Sequence, residues 1–310
     1  MGIKHVGQIG LGAVGIHFAH HLLGHYGALT VFDIDASRLE RATALGATPT
    51  DNLEMVASKC DTIILSLPNP DAVREVLAGP GGLALSASPN TLIVDCSTID
   101  PETSRWASDQ CSNRKVRYVE APVTSAAPGG GSTEGAKAGN VTFLVGGDDS
   151  SVVQAAELFE LLGERYLHLG PVGSGSIMKL VTNHVSGVIT LAVAEGLVLA
   201  AAAGFPVDQS LDIIKHSVAD NYVLNHILAA RIRQADYEPG FAIDLMHKDH
   251  VLAAELGRKL TVPLLFNQLA AETFQLMRAQ GLGNVDHAFC AQYLAELARV
   301  DLENGGKLDV

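Results

Sequence analysis

A glycine-rich turn near the start of the chain constrains its fold more than any other feature. Gly10, Gly12 and Gly15 are spaced as G-x-G-x-x-G, after the short apolar segment "HVGQI" and before "IHFAHHLLGH", whose apolar residues recur at helical spacing. A strand, a tight turn and a helix in this order form the context in which such glycines hold a dinucleotide pyrophosphate. The alternative is a glycine turn in an unrelated α/β fold. We predict that six consecutive residues contact a dinucleotide: Gly10, Leu11, Gly12, Ala13, Val14 and Gly15.

An acidic residue ends the second predicted strand. "LTVFD" finishes at Asp33, 18 residues after Gly15. A carboxylate at this place accepts hydrogen bonds from the ribose hydroxyls of an adenosine and repels a 2′-phosphate. The first arginine that follows it is Arg38. The sequence therefore predicts NAD as the cofactor in preference to NADP.

Strand and helix patterns divide the chain into two parts. Short apolar runs alternate with helical patterns up to about residue 170, with strands predicted at "TVFD", "DTIILSL", "NTLIVDC", "VRYVEAP", "VTFLVGG" and "RYLHLG". Beyond Gly173 only helices are predicted, at roughly 174–203, 207–216, 222–234, 244–258, 263–280 and 287–300. The prediction is a Rossmann-type doubly wound parallel sheet domain over 1–171, then an all-helical domain over 172–310 that begins with a long interdomain helix.

Composition narrows the classes of partner. The chain has 34 acidic and 21 basic residues, a net charge of -13, which argues against binding nucleic acid through its phosphates. A small anionic substrate remains compatible, because local charge can oppose net charge. The four cysteines show neither C-x-x-C pairing nor metal-ligand spacing, and no basic segment precedes an apolar run at the N-terminus. We expect a cytoplasmic protein without a metal site.

One segment is apolar enough to be tested as a membrane span. Residues 185–203 read "VSGVITLAVAEGLVLAAAA" and carry Glu195 near their middle. The segment is rich in alanine rather than leucine, so we predict a helix buried between domains or subunits, with Glu195 as a buried, paired carboxylate, and no membrane span. The apolar helical half also predicts a homodimer or homotetramer.

Polar residues follow three predicted strands, at "LSLPNP", "DCSTIDP" and "EAPVTS". Ligands of open α/β sheets bind beyond the carboxyl ends of the strands, so these turns are candidates for a site, although each alone is an ordinary strand-to-helix turn. Lys179 and Asn183 are four residues apart on the long predicted helix and so share a face. In an apolar helix they need a partner or a pocket, or else the lysine extends to water and the asparagine bonds locally.

The motifs together resemble the β-hydroxyacid dehydrogenases, which include 3-hydroxyisobutyrate dehydrogenase and tartronate semialdehyde reductase. "GLGAVG", "DCSTIDP", "EAPV", "GSGSIMKLVTNHV" and "FAIDLMHKD" occur in the order of that family and near its spacings. The resemblance implies a catalytic lysine at Lys179 and a substrate-binding Asn183. It also implies that the substrate carboxylate binds at Thr124 and Ser125. The remaining implied residues all contact the cofactor: Leu67, Pro68, Thr98, Phe241 and Lys248.

The chain departs from the family pattern in two places. After "APV" the family usually has Ser-Gly-Gly, whereas this chain has Thr124, Ser125 and Ala126, then an insertion rich in glycine. The paired asparagines of the family are replaced by Thr182 and Asn183. We predict that residues 124–139 form no element of their own and that the inserted "PGGGS" folds over the bound acid; the alternative is a mobile surface loop.

These patterns predict an NAD-dependent oxidoreductase acting on a small β-hydroxy acid or a related hydroxy acid or hydroxysulfonate, with Lys179 as general acid and base. The alternatives are an oxidative decarboxylase of the 6-phosphogluconate dehydrogenase kind, an imine reductase, and a non-catalytic cofactor-binding regulatory or scaffold protein. Retention of Lys179 argues against the last two. Four histidines on the first predicted helix have no acid at metal-ligand spacing and are interpreted as packing or surface residues: His17, His20, His21 and His25.

Overall fold

The computed structural model describes residues 3–126 and 131–308. They form two compact units. The first holds the described residues before Gly131 and then Ser132–Leu180, and the second holds Gly131 and the described residues from Val181 onwards. This division falls inside one long helix, whereas the sequence patterns change at about residue 171. The domain boundary at 171/172 stays a prediction.

The first unit is built on a six-stranded parallel sheet with the strand order β3-β2-β1-β4-β5-β6. Strand order reverses between β1 and β4, which creates a crevice at the carboxyl ends of these two strands. Side chains alternate between two apolar cores: Ile64 faces one, and Ile63 and Leu65 face the other. The strands are β1 (Val6–Ile9), β2 (Thr30–Phe32), β3 (Thr48–Pro49), β4 (Thr62–Leu65), β5 (Leu92–Asp95) and β6 (Arg117–Glu120).

Helices connect these strands on both faces of the sheet, as the sequence predicts for a Rossmann-type domain. Most of them begin at an Asp or Asn whose side chain accepts a backbone N–H of the first turn, which explains where they start. The helices are α1 (Gly15–Tyr26), α2 (Ala36–Ala44), α3 (Leu53–Lys59), α4 (Pro70–Ala78), α5 (Leu83–Ser86), α6 (Pro101–Ser112), α7 (Gly131–Ala138) and α8 (Asp149–Leu162).

The last strands of the first unit form a second sheet with three strands. β7 (Val123–Thr124) pairs antiparallel with β8 (Val141–Val145), which pairs parallel with β9 (Gly163–His168). The strands predicted at "VTFLVGG" and "RYLHLG" thus exist, but they pair with each other, and an isolated bridge between Gly146 and Glu120 links them to the end of β6. β7 was not predicted, because a two-residue strand leaves no periodic signal.

The prediction that residues 124–139 form no element is wrong, because α7 lies within them. The glycines and serines of this segment do not favour a helix by themselves, so packing has to supply the stability. Ala136 is fully buried in the core, and Gly135 has no side chain, which lets the helix approach Ser125 closely. Residues 127–130, which hold most of the insertion predicted to cover the acid, lie outside the described residues.

From Val181 onwards, the regular elements of the described residues are all helices, joined by loops that carry two isolated β-bridges. The helix predicted at 222–234 exists but begins as a π-helical turn, Val223–Leu228, before α11 (Ala229–Gln234). A 3-10 turn, His287–Phe289, likewise precedes the last helix. The other helices are α10 (Val207–Lys215), α12 (Ile243–Lys259), α13 (Leu265–Ala279) and α14 (Cys290–Ala298). Their apolar faces enclose a separate core.

Helix α9 (Ser174–Ala202) runs from the first unit into the second. Its length and composition match those of a membrane span, with a mean hydropathy of 2.0 over the most apolar 18 residues, and 44% of that window is buried within the chain. A core helix of a globular protein has the same composition, so the absence of a membrane span stays a prediction. Glu195 on this helix is exposed within the chain, so its predicted burial is not met by contacts of the same chain, and burial between subunits stays a prediction.

Candidate active site

The glycine turn joins β1 to α1 at the crevice of the six-stranded sheet. Gly10 has a φ of +85°, and a β-carbon there would collide with the carbonyl oxygen of Ser66. A β-carbon on Gly15 would collide with the carbonyl oxygen of Gly10. The first and third glycines are therefore required by the fold itself. Gly12 is different, because a β-carbon there would meet no atom nearer than a guanidinium nitrogen of Arg38, at 3.9 Å.

The missing side chain of Gly12 leaves room in front of the first turn of α1. That helix has neither a side-chain cap nor an acidic residue in its first turn, whereas α2, α3, α4, α6 and α8 each have an Asp or Asn cap. Within residues 3–126 and 131–308, no hydrogen-bond acceptor faces the N–H groups of Gly12, Ala13 and Val14. A helix N-terminus with such donors and a bare backbone in front of it fits a pyrophosphate.

Asp33 lies directly after β2, beside the glycine turn, and is 7% exposed. Its Oδ2 accepts the N–H of Leu11 at 2.7 Å, and its Oδ1 accepts the N–H of Asp35 at 2.9 Å. Each carboxylate oxygen keeps a second lone pair, so both ribose hydroxyls can still be bound. A guanidinium nitrogen of Arg38 lies 3.8 Å from Asp33, and the guanidinium also pairs with Asp35. Arg38 is therefore already engaged by two acids.

The loops that follow β4 and β5 are tied to each other next to the glycine turn. The N–H of Leu67 donates to the hydroxyl of Ser97 at 2.9 Å, and the side chain of Leu67 packs against Gly10. Thr98 follows Ser97, and Pro68 follows Leu67. The structure thus brings the predicted cofactor residues Leu67, Pro68 and Thr98 together beside Gly10.

A buried acid that sequence reasoning missed holds the turn after β5. Asp95 is 1% exposed and accepts the N–H of Ser97 and the hydroxyl of Tyr118, each at 2.9 Å. Burial raises the pKa of Asp95 to about 6, and the nearby Glu120 adds to this rise. The sequence feature that could have revealed Asp95 is its position as an acid at the end of the apolar run "TLIVD".

A second missed acid begins the helix that carries Lys179. Glu120, at the end of β6, accepts the N–H groups of Gly173 and Gly175 at 2.6 and 2.8 Å, and the hydroxyl of Ser176 at 2.6 Å. The carboxylate, at the end of β6, thus caps the N-terminus of α9. Its negative charge interacts favourably with the positive end of the helix dipole. Lys179 follows less than one turn after Ser176 and is only 6% exposed. Glu120 therefore fixes the start of the helix on which the predicted catalytic lysine lies.

Thr124 and Ser125, the predicted carboxylate-binding residues, lie at the end of β7. Thr124 pairs with Thr142 of β8, and both Thr124 and Ser125 are half-buried. Ser125 packs against Gly135 of α7, and the hydroxyl of Ser132 donates to the carbonyl oxygen of Val123. The α7 helix therefore packs against the end of β7 and holds it in place.

In the second unit, Asn183 is linked to the "HKD" motif. Its Nδ2 donates to Oδ2 of Asp249 at 2.5 Å, and Nζ of Lys248 lies 2.9 Å from Oδ1 of the same carboxylate. Asn183 and Asp249 are 9% and 1% exposed. The structure thus brings together Asn183 and Lys248, two of the predicted site residues, through an acid that lies between them.

Phe241 is held at the start of α12 by Asp286, whose carboxylate accepts the N–H of Phe241 at 3.0 Å. Its ring meets the ring of His287 edge-on, with 5.8 Å between the ring centres. Arg231 pairs with the same Asp286. The "EPGF" loop is therefore fixed by contacts within the second unit.

The described histidines and cysteines do not form a metal site, and the cysteines are buried thiols. His21 contacts the carbonyl oxygens of Ala136 and Lys137 in the last turn of α7. Within the part of the chain that the structure describes, no group of three His, Cys, Asp or Glu side chains is arranged to hold a metal ion. The four cysteines are free and buried, and burial raises the pKa of Cys60 to about 11 and that of Cys111 to about 12, which disfavours thiolate chemistry.

Comparisons with known proteins cover both units. The family model for the NAD binding domain of 6-phosphogluconate dehydrogenase matches residues 5–170, and the model for the NAD-binding region of NADP-dependent 3-hydroxyisobutyrate dehydrogenase matches residues 173–294. The chain is 32% identical over 300 residues to 2-(hydroxymethyl)glutarate dehydrogenase of Eubacterium barkeri, covering 97% of this chain and 98% of the relative.

Two further proteins are similar over most of the chain. The NAD-dependent L-serine dehydrogenase of Pseudomonas aeruginosa is 30% identical over 290 residues, which covers 92% of this chain and 95% of that protein. The solved structure of Mycobacterium tuberculosis 3-hydroxyisobutyrate dehydrogenase with L-serine has a TM-score of 0.82 at 24% identity, covering 94% of this chain and 99% of that one. At this identity the structural match supports the fold.

Proposed function

Because this chain belongs to the β-hydroxyacid dehydrogenase family, a family of nicotinamide-dependent hydroxy-acid oxidoreductases, we propose that it transfers a hydride between a small β-hydroxy acid and NAD, with Lys179 as general acid and base. Related hydroxy acids and hydroxysulfonates belong to the same proposed substrate class. The observation that carries the proposal is a buried lysine, one helical turn before a buried asparagine, on a long helix that is mostly apolar.

Bound nicotinamide supplies the hydride acceptor in oxidation and the hydride donor in reduction. In oxidation, the neutral amine of Lys179 takes the proton of the substrate hydroxyl as the hydride leaves the same carbon. In reduction, the Lys179 ammonium returns that proton to the new alkoxide.

Asn183 orients the substrate in this proposal. Its Nδ2 donates to Asp249, and this hydrogen bond sets the rotation of the amide that binds the substrate in this proposal. Thr124 and Ser125 bind the substrate carboxylate through hydroxyl and backbone N–H groups. Short acids with one carboxylate and one hydroxyl suit this small set of donors.

The preference for NAD rests on Asp33. A 2′-phosphate placed against this carboxylate would meet a like charge, and Arg38, the nearest cation, is already paired with Asp33 and Asp35. One of the matching family models carries the name of an NADP-dependent enzyme, so cofactor choice has to be measured on this chain.

We also propose a homo-oligomer in the cytoplasm that binds neither nucleic acid nor membrane. The net charge of -13 disfavours nucleic acid. Three large apolar side chains at the start of α13, namely Leu265, Phe266 and Leu269, are 64–78% exposed, and such contiguous patches are typical of interfaces between subunits.

The test is NADH absorbance with a panel of acids: 3-hydroxyisobutyrate, serine, 4-hydroxybutyrate, glycerate and hydroxysulfonates. We expect turnover of at least one acid, and a loss of about a hundredfold to ten-thousandfold in kcat for Lys179→Ala with NADH affinity unchanged. The control is Val181→Ala, an exposed apolar residue two positions along the same helix. No turnover of any acid would contradict the substrate class, and a loss confined to NADH affinity would contradict the role of Lys179.

A further inference from the structure

One buried amide in the second unit contacts two histidines at once. Asn267, on α13, is fully buried. Its Oδ1 lies 2.7 Å from Nδ1 of His250 and 3.0 Å from Nδ1 of His184. Its Nδ2 donates to the carbonyl oxygen of His250 at 2.8 Å. Asn267 therefore ties α13 to α9, through His184, and to α12, through His250.

The hydrogen bonds fix where the protons lie. The amide nitrogen of Asn267 has to face the carbonyl oxygen of His250, because two oxygens at that distance would repel each other. Its Oδ1 then faces both imidazoles and can only accept. Each Nδ1 consequently carries a proton, and a neutral His184 or His250 has its lone pair on Nε2.

Both histidines directly follow residues of the candidate site. His184 comes after Asn183, and His250 comes after Asp249, the carboxylate to which Asn183 donates. Successive helical residues point about 100° apart, so the two site residues face a different direction from the two histidines. One amide oxygen thereby fixes two backbone segments at the positions next to the Asn183–Asp249 pair.

We propose that Asn267 is a positioning residue, which sets the amide of Asn183 for the substrate by holding His184 and His250 in their Nδ1-protonated form. The proposal rests on the proposed function of Asn183. Asn267 acts through its neighbours and is not assigned any contact with substrate or cofactor.

The surroundings of His250 support a neutral ring in this arrangement. Its Nε2 is buried, has no hydrogen-bond partner within residues 3–126 and 131–308, and packs so closely on Gly187 that a β-carbon there would collide with it. Burial is the main cause that lowers the pKa of His250; the titratable groups around it are His184, Asp249 and His247. A proton on Nε2 would be placed where the described structure offers no acceptor.

The decisive variant is Asn267→Asp. A carboxylate can accept both Nδ1 protons, but its second oxygen faces the carbonyl oxygen of His250, and its charge favours protonated imidazoles. We expect kcat/KM to fall tenfold or more, the acid limb of its pH profile to move up by about one pH unit or more, and the NADH dissociation constant to stay unchanged. Asn267→Leu, which leaves both Nδ1 protons without an acceptor, should lower kcat/KM without moving the acid limb in this way.

A purely structural role predicts a different outcome. Met277→Ala is the control, because Met277 is fully buried on the same helix and its truncation leaves a cavity without removing a hydrogen bond. The control should lower the melting temperature while kcat/KM per folded enzyme stays near that of the parent. If Asn267→Asp behaves like Met277→Ala, with an unmoved pH profile, the positioning role is refuted.

A measurement without turnover separates this proposal from the proposed function. Long-range ¹H–¹⁵N spectra of histidine-labelled protein should show two Nδ1-protonated imidazoles, whose signals are assigned by their loss in His184→Gln and His250→Gln. In uniformly ¹⁵N-labelled Asn267→Leu, the side-chain amide signal of Asn183 should move. An Nε2-protonated tautomer at either histidine, or an unmoved Asn183 signal, would overturn the inference even if no tested acid is turned over.

Discussion

The pH dependence of stability should change when Asp95 is replaced by asparagine. Asp95 is 1% exposed, and an asparagine has the same shape and keeps an oxygen to accept the N–H of Ser97. The hydroxyl of Tyr118, which now donates to the carboxylate, can instead accept from the new amide. The substitution therefore removes a titrating group while preserving the turn after β5.

The magnitude follows from the raised pKa. Asp95 titrates near 3.8 in an unfolded chain and near 6 in the folded protein. Between these values the folded state binds more protons than the unfolded state, so the contribution of Asp95 lowers stability as the pH rises. A rise of about two pKa units corresponds to roughly 3 kcal/mol, all of it lost by pH 7. The Asp95→Asn variant does not lose this stability. As the pH rises, its free energy of unfolding should therefore increase relative to that of the parent by up to roughly 3 kcal/mol.

The assay is urea unfolding from pH 4.5 to 7.5, followed by fluorescence. The chain has one tryptophan, Trp106 on α6, so its emission reports on the unit that contains Asp95. The quantity compared is the difference in unfolding free energy between variant and parent, in which the other titrating groups cancel. Asp51→Asn, at an exposed acid, controls for the loss of one charge. Parallel curves for Asp95→Asn and the parent would refute the argument that burial raises the pKa of this carboxyl.

Two further predictions concern the other acids at the strand ends. Asp33→Ser combined with Ile34→Arg should relax the preference for NAD, because the acid that binds the ribose is lost and an arginine at the exposed position 34 can bind a 2′-phosphate. The measurement is kcat/KM with NAD and with NADP. An unmodified enzyme that already prefers NADP would contradict the prediction. Glu120→Ala should lower the free energy of unfolding by about 3 kcal/mol or more, since the N–H groups and the hydroxyl at the start of α9 lose their acceptor. Glu120→Gln should lower it by about half of that. Denaturant midpoints measure both changes, and equal losses in the two variants would argue against a capping role.

The fold was largely predictable because its signals are local. The strands of the six-stranded sheet are buried on both faces and appear as continuous apolar runs, and the turns after them contain the caps that start the helices. α7 was missed because its stability comes from the burial of Ala136 and the close approach of Gly135 to Ser125, which local propensity does not reveal. β3 and β7 were missed because two residues are too short for a pattern.

The candidate site was predictable where a motif has a fixed spacing, as in the glycine turn and in Lys179 with Asn183. The partners that hold those residues come from distant parts of the chain. Glu120 reaches Gly173, 53 residues away, and Asn267 reaches His184, 83 residues away. No spacing rule connects such pairs, because tertiary packing determines which side chains meet. Asp249 ends the motif "FAIDLMHKD", but the sequence predicts no role for it, although its carboxylate accepts a hydrogen bond from Asn183.

Buried acids at the ends of three strands show why residue type and place alone do not assign a role. Asp33, Asp95 and Glu120 follow or end β2, β5 and β6, and each accepts backbone N–H groups of a neighbouring loop. Such an acid orders its loop whether or not a ligand binds. The distinguishing property is the surroundings of each carboxylate. Asp95 also accepts the hydroxyl of Tyr118, and Glu120 that of Ser176, whereas Asp33 accepts only backbone N–H groups and lies beside a bare glycine turn. Hence Asp95 and Glu120 are held among the chain's own side chains and order a loop and a helix start, while Asp33 is the acid for which we propose a role in cofactor choice.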